Sequence, residues 1–176
     1  KIYNKQDILS VTSIRRFETK IGERVQVIKD PAALEASIQQ SSAPFVLVGI
    51  PEDIGVLANQ GVGGCDSAWI SFLQAFLNVQ SNDFFEGSSI LLLGHFDFND
   101  AKNLIEQNAQ SYDEKLAAYR HAVNMIDDEV EQLIHVIAQN NKTPIVIGGG
   151  HNNAYPCIKG AAKGLYKAGL IPLAQI

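Results

Sequence analysis

Short apolar runs alternate with amphipathic stretches along this sequence. Three runs rich in aliphatic and β-branched residues, 44–50, 89–94 and 144–147, predict strands that are buried on both faces. A stripe of apolar residues three or four positions apart predicts a long helix from about 111 to 139, and its members are Val123, Ile126, Val130, Leu133 and Ile137. Strands that alternate with helices in this way predict a three-layer α/β/α domain with a mostly parallel sheet.

Shorter elements are expected between and around these. Residues 24–28 have a β-like pattern, and Asp30-Pro31 supplies an N-cap and a first helical residue for a short helix. Asp66-Ser67 can cap the next helix, and a further helix is expected from about 153 to 167. A last buried strand is expected to begin near Leu170. A domain rarely stops within a strand, so residues 1–176 are predicted to be a single unit, the N-terminal portion of a longer domain.

Composition and charge exclude some classes of function. The chain has 176 residues and a formal net charge of -5, which disfavours a nucleic-acid partner. No apolar run approaches the ~18 residues of a membrane-spanning helix, and the N-terminus lacks the pattern of a secretory signal. A cytoplasmic location, with Cys65 and Cys157 reduced, is therefore expected. Asp127, Asp128, Glu129 and Glu131 fall mostly off the apolar stripe and are interpreted as a solvated helix face.

Gly148-Gly149-Gly150-His151 follows directly after the third predicted strand. Glycines permit positive φ and a close approach of the backbone to a ligand, and ligands bind at the carboxyl ends of parallel strands. An imidazole at that position suits a transition metal. The alternative is a tight turn whose His only caps the following helix. A phosphate site is less well supported, because the Lys-Ser/Thr of a P-loop and the spacing of a dinucleotide fingerprint are absent.

Two further segments lie after predicted strands. The loop from Gly49 to Asp66 is rich in glycine and carries Glu52 and Asp53, which could bind a cation or could cap turns. His95 and Asp97 follow the second strand and could face the same cleft as His151, but a loop His and a turn-forming Asp are the favoured explanation.

The two glycine-rich segments together resemble the ureohydrolase family, which contains arginase, agmatinase and formimidoylglutamase. Residues 49–64 look like that family's N-terminal loop, and residues 144–153 look like its first metal-binding segment. The Gly-Gly-Gly-His form is most similar to the formimidoylglutamase-like branch.

This resemblance implies a metal-dependent hydrolase that cleaves a C–N bond in a linear amidine or guanidine substrate such as formimidoylglutamate. It implies a binuclear manganese centre with His151 as its first ligand, and a homo-oligomer when the protein is full length. Asn59, Asn152 and Asn153 are predicted to line the substrate cleft; capping roles are the alternative. The family's later ligands, expected just after Leu170 and beyond, do not occur in this sequence, so this chain alone is predicted to be inactive.

Two alternatives stay open from the sequence. Leu57 and Val62 occupy positions where relatives often carry Arg, which favours a non-catalytic relative that acts as a ligand-binding or subunit-interaction module. The other alternative is an unrelated α/β enzyme that uses the glycine turn for an anion.

Overall fold

In residues 1–170, the part of the chain that the structure describes, the sheet has three parallel strands in the order β2-β1-β3. The structure is a computed structural model. The strands are β1 (Phe45–Gly49), β2 (Ile90–His95) and β3 (Thr143–Ile147). The register is regular between β1 and β3, whereas β2 carries a bulge opposite Leu47 and Val48. All three strands therefore end at the same edge, and the three predicted strands are confirmed within a residue or two.

Eight α-helices surround the sheet in the described residues. They are α1 (Lys5–Ser10), α2 (Ile21–Arg24), α3 (Leu34–Gln40), α4 (Ile54–Ala58), α5 (Ala68–Phe76), α6 (Asn99–Asn108), α7 (Tyr112–Gln139) and α8 (Ala154–Lys167). Short 3-10 turns at Pro31–Ala33, Cys65–Ser67, Gly87–Ser89 and His151–Asn153 precede α3, α5, β2 and α8. Asp30 caps the first of these turns by accepting from the Ala32 N–H at 3.0 Å, as its sequence predicts.

The helices form two layers, because each face of the sheet buries a separate apolar cluster. One cluster joins Val46 and Leu91 to the apolar side of α7, with α3, α4 and part of α8 around it. The other joins Leu47 and Leu92 to Trp69 and Leu73 of α5, with α1 and α2. The predicted three-layer α/β/α architecture is confirmed. None of the helices in residues 1–170 is both long and apolar enough to cross a membrane.

Several local predictions differ from the structure. Residues 24–28 do not form a strand: α2 ends at Arg24, and Gln26 alone bridges to Leu91 on the outer edge of β2. The glycine-rich loop after β1 contains a helix, α4. The helix α6 was not predicted, because it is short and mostly polar: only Ala101, Leu104 and Ile105 of its ten residues are apolar, and none of its residues is fully buried.

The acidic residues of α7 are not all solvated, so that prediction is wrong for two of them. Glu131 is buried and pairs with Lys159, at 2.6 Å, and with Lys163 of α8. Asp127 is half-buried, and its Oδ1 has no hydrogen-bond partner among residues 1–170. Burial, with the neighbouring Asp128 carboxylate, raises the pKa of Asp127. The side of α7 that carries Asp127 and Glu131 packs on α8.

Candidate metal and substrate site

The carboxyl end of β3 turns sharply at three consecutive glycines. Gly148 and Gly149 have φ of +94° and +78°, values that L side chains rarely adopt. A Cβ on Gly149 would lie 2.6 Å from the Ile50 carbonyl oxygen and 2.5 Å from Asn153 Nδ2. The glycines therefore allow the backbone after β3 to pass close to the backbone that leaves β1.

His151 begins the 3-10 turn that leads into α8, and its side chain is exposed. A cavity of about 280 Å³ opens beside it, lined by the three glycines and by His151, Asn153 and Cys157, with Val146 and Ala154. The cavity is at the carboxyl edge of a parallel sheet, where ligands bind in such folds. His151 is thus accessible to a ligand in the position that the sequence predicts.

Glu52 lies behind this turn and is almost fully buried, with 3% of its surface exposed. Its Oε1 accepts hydrogen bonds from Asn153 Nδ2 at 2.7 Å and from the Gly150 N–H at 3.2 Å. Its Oε2 accepts from the Gly55 N–H at 2.9 Å. One carboxylate therefore joins the loop after β1 to the turn after β3.

Asp53 organises the other half of the glycine-rich loop. Its carboxylate accepts from the Gly64 N–H at 2.9 Å, from the Asp66 N–H at 3.1 Å and from Cys65 Sγ at 2.9 Å. Lys102 of α6 lies 3.5 Å from the same carboxylate. Burial and the Asp53 carboxylate raise the pKa of Cys65 to about 12. Asp53 thus fixes the loop and keeps Cys65 as a thiol.

The three predicted substrate residues lie in different surroundings. Asn153 lines the cavity; its side chain is buried, and its Oδ1 has no partner in the described residues. Asn152 points away from the cavity lining toward Gly55, and neither of its side-chain polar atoms has a partner there. Asn59 is exposed at the C-terminal cap of α4. The structure therefore brings together only His151 and Asn153 of the four predicted residues.

His95 and Asp97 do not share this cavity, contrary to the sequence-based suggestion. Both line a separate cavity of about 570 Å³ beneath β2, bounded by Leu93 and by α7. The Trp69 indole donates to Tyr3 Oη at 3.0 Å, and Tyr3 Oη lies 2.8 Å from His95 Nδ1. Burial lowers the pKa of His95. His95 is thus held by Tyr3, from the layer that contains α5, and β1 separates it from His151.

Leu57 and Val62 lie in different surroundings. Leu57 is partly buried against the apolar cluster under α7, whereas Val62 is 94% exposed. Leu57 therefore has a packing role, and Val62 has no contact in the described residues that explains it.

The described residues alone do not fit a binuclear metal centre. Within 1–170, no group of three or more His, Cys, Asp and Glu side chains could hold an ion. Glu52, the carboxylate behind the turn, already accepts three hydrogen bonds from backbone and amide donors. His151 is left as a single accessible imidazole, and hydrolytic metal sites use about three protein ligands or more.

Glu52 is the residue whose part in this site the sequence does not reveal. Its partners Gly150 and Asn153 lie 98 and 101 positions away along the chain. The available signal is its position two residues after a buried strand, in a loop with several glycines. That position suggests a role but does not distinguish a metal ligand from a loop-organising carboxylate.

Comparison with known proteins agrees with this geometry. The profile of the Arginase family matches residues 43–173, a span that includes β1, the glycine-rich loop, the 148–151 turn and α8. Comparison with curated proteins and with solved structures gave no significant match. Because the family profile covers most of the sequence, the chain belongs to the arginase family of ureohydrolases.

Proposed function

We propose that this chain is part of a manganese-dependent ureohydrolase of the formimidoylglutamase-like type. The observation that carries the proposal is the exposed His151 beside a cavity at the carboxyl end of β3, inside the span matched by the Arginase family. Members of this family generally use a binuclear manganese centre. Two metal ions lower the pKa of a shared water and so supply a nucleophile at neutral pH.

His151 is the ligand that this chain would contribute. Residues 1–170 hold no group of three or more ligating side chains and residues 171–176 contain no His, Cys, Asp or Glu, so this chain offers one ligand and not a complete set. No catalytic step is assigned to the residues of this chain. Their part in the proposal is to hold one imidazole at the edge of a preformed cavity.

Asn153 is the best supported of the predicted substrate residues. Its Nδ2 donates to Glu52 and to the Gly150 carbonyl, so Oδ1, an acceptor without a partner among residues 1–170, is the atom left for a ligand. Oδ1 is buried in this structure, so the Asn153 side chain would have to turn toward the cavity to bind the N–H donors of an amidine or guanidine group. A linear substrate such as formimidoylglutamate would be hydrolysed by addition of water across its C–N bond, which releases glutamate and formamide.

The test uses protein that contains this chain within a complete family domain. We expect bound manganese by elemental analysis, together with manganese-dependent release of formamide from formimidoylglutamate. Agmatine and arginine serve as competing substrates, and urea is the product to be measured from them. His151→Ala is expected to lower both manganese content and turnover, whereas His121→Ala, on the exposed side of α7, should leave both unchanged. Manganese content that is equal in all three proteins would refute the role of His151.

A further inference from the structure

Glu52 is a buried carboxylate that takes no part in the function proposed above. It sits in the loop after β1, yet two of its three hydrogen-bond donors belong to the segment after β3. A buried carboxylate is costly unless its oxygens are well satisfied. Its three hydrogen bonds offset that cost, and two of them hold the 148–151 segment.

The turn needs a restraint of this kind. Gly148 and Gly149 lack a Cβ and can occupy many backbone conformations, so the direction of His151 is not fixed by local sequence. The turn follows β3, which among the described strands pairs only with β1 and whose residues are all partly buried or exposed. Packing from neighbouring side chains is therefore weaker there than on β1, where four of five residues are buried.

A carboxylate can accept hydrogen bonds at both of its oxygens, whereas an amide can accept at only one. Both Glu52 oxygens accept hydrogen bonds, Oε1 from Gly150 and Asn153 and Oε2 from Gly55. Gln at this position would place an NH₂ group against one of these N–H donors. Hydrogen bonds to a charged acceptor are also stronger than neutral ones.

We propose that Glu52 is a positioning residue, which fixes the 148–151 turn through Gly150 and Asn153 and thereby sets the direction in which His151 faces the cavity. The proposal rests on the proposed function in one respect, namely that His151 is a ligand there. We do not assign Glu52 as a metal ligand, because both of its oxygens accept hydrogen bonds from protein donors.

The experiment is histidine side-chain NMR of the 176-residue chain, without metal. The chain has four histidines, and three of them report on regions away from the turn. Glu52→Gln is expected to shift or broaden the His151 imidazole signals and to speed amide exchange at Gly149 and Gly150 by about tenfold or more. His121 and His135 signals should not move. Glu86→Gln, an exposed carboxylate that bonds only Ser88 in its own loop, is the matched control.

Two outcomes would overturn the proposal. One is a His151 signal that does not change in Glu52→Gln. The other is an equal change in all four histidines, which would indicate a general loss of structure. If Glu52→Gln does not fold, Glu52→Asp gives the second measurement, since it keeps the charge and shortens the reach across to Gly150 and Asn153. Glu52→Asp should shift the His151 imidazole signals in the same direction as Glu52→Gln but by a smaller amount.

A variant at Asn153 tests the same contact from its other side. Asn153→Ala removes the amide that donates to Glu52 and leaves the carboxylate in place. We expect a change in the His151 signals with those of His121 and His135 unmoved; no change would refute the contact as the route of action. Because no metal is used, a protein that failed to bind manganese would refute the proposed function and leave this result unaffected.

Discussion

Gly149 has a left-handed backbone conformation, and neighbouring atoms leave no space for a side chain at this position. Gly169, after α8, has nearly the same φ, +74° against +78°, but a Cβ there would meet no atom of residues 1–170 within 4 Å. We expect Gly169→Ala to lower the free energy of unfolding by about 1 kcal/mol, the cost of the conformation alone. Gly149→Ala should cost about 3 kcal/mol, because strain and overpacking add. Urea denaturation measures both, and equal losses would contradict the crowding.

Cys65 offers a second test at the residue scale, one that measures reactivity. Its pKa of about 12 leaves very little thiolate at pH 8. In a Cys157→Ser background, alkylation of Cys65 by iodoacetamide is expected to be roughly a thousandfold slower than that of a free thiol. Asp53→Asn removes the carboxylate to which the thiol donates, so it should speed alkylation. A rate like that of a free thiol in the unsubstituted chain would refute this description of the loop.

At the scale of elements, sequence patterns predict those parts that bury an apolar face. The three strands and α7 were predicted because their apolar residues recur with a clear period. In contrast, α6 is mostly polar and has only three apolar residues, and α4 is a single short helix within a glycine-rich segment, so both are too short or too polar for the pattern to stand out. The same holds for the site. His151 can be predicted because it directly follows a strand, whereas the role of Glu52 depends on contacts with residues about 100 positions away along the chain.

The pairing of α7 with α8 depends on pH through Glu131. Burial alone would raise the pKa of Glu131, but Lys159 and Lys163 outweigh that effect and hold the pKa below its usual value of 4.5. A depressed pKa stabilises the folded state above the unfolded pKa, and the stabilisation is lost as the pH falls through the folded pKa. We expect Glu131→Gln to cost about 1 kcal/mol at pH 7.

The difference between the two proteins should shrink as the pH falls below about 4.5, the usual pKa of a Glu side chain. Urea unfolding of both proteins from pH 7 down to pH 3 measures this. Glu129→Gln, an exposed neighbour on α7, is the control and should show no such trend. A constant difference across the range would refute the ionic contribution.

At the scale of the whole molecule, the two edges of the sheet differ. The outer edge of β2 is bridged by Ile2 and by Gln26. The outer edge of β3 has no partner among residues 1–170. After β3 the chain returns along α8, which packs on α7, and Gly169 ends that helix. All residues from 170 to 176 except Gln175 are apolar, and a right-handed crossover after α8 leads toward the outer edge of β3.

That arrangement makes the predicted strand near Leu170 testable, although residues 171–176 lie outside the described part of the chain. The Thr143 N–H donates to the Pro44 carbonyl, and the Ile147 carbonyl accepts from Ile50, so alternate residues of β3 face β1. The Val146 N–H therefore points to the outer edge, and Pro144 has no N–H to offer there. If residues 170–176 pair with β3, the Val146 amide exchanges slowly in the 176-residue chain and at least tenfold faster when residues 171–176 are deleted. The Ile145 amide, which faces β1, should be protected in both. Fast exchange of Val146 in both chains would show that this segment does not form the fourth strand.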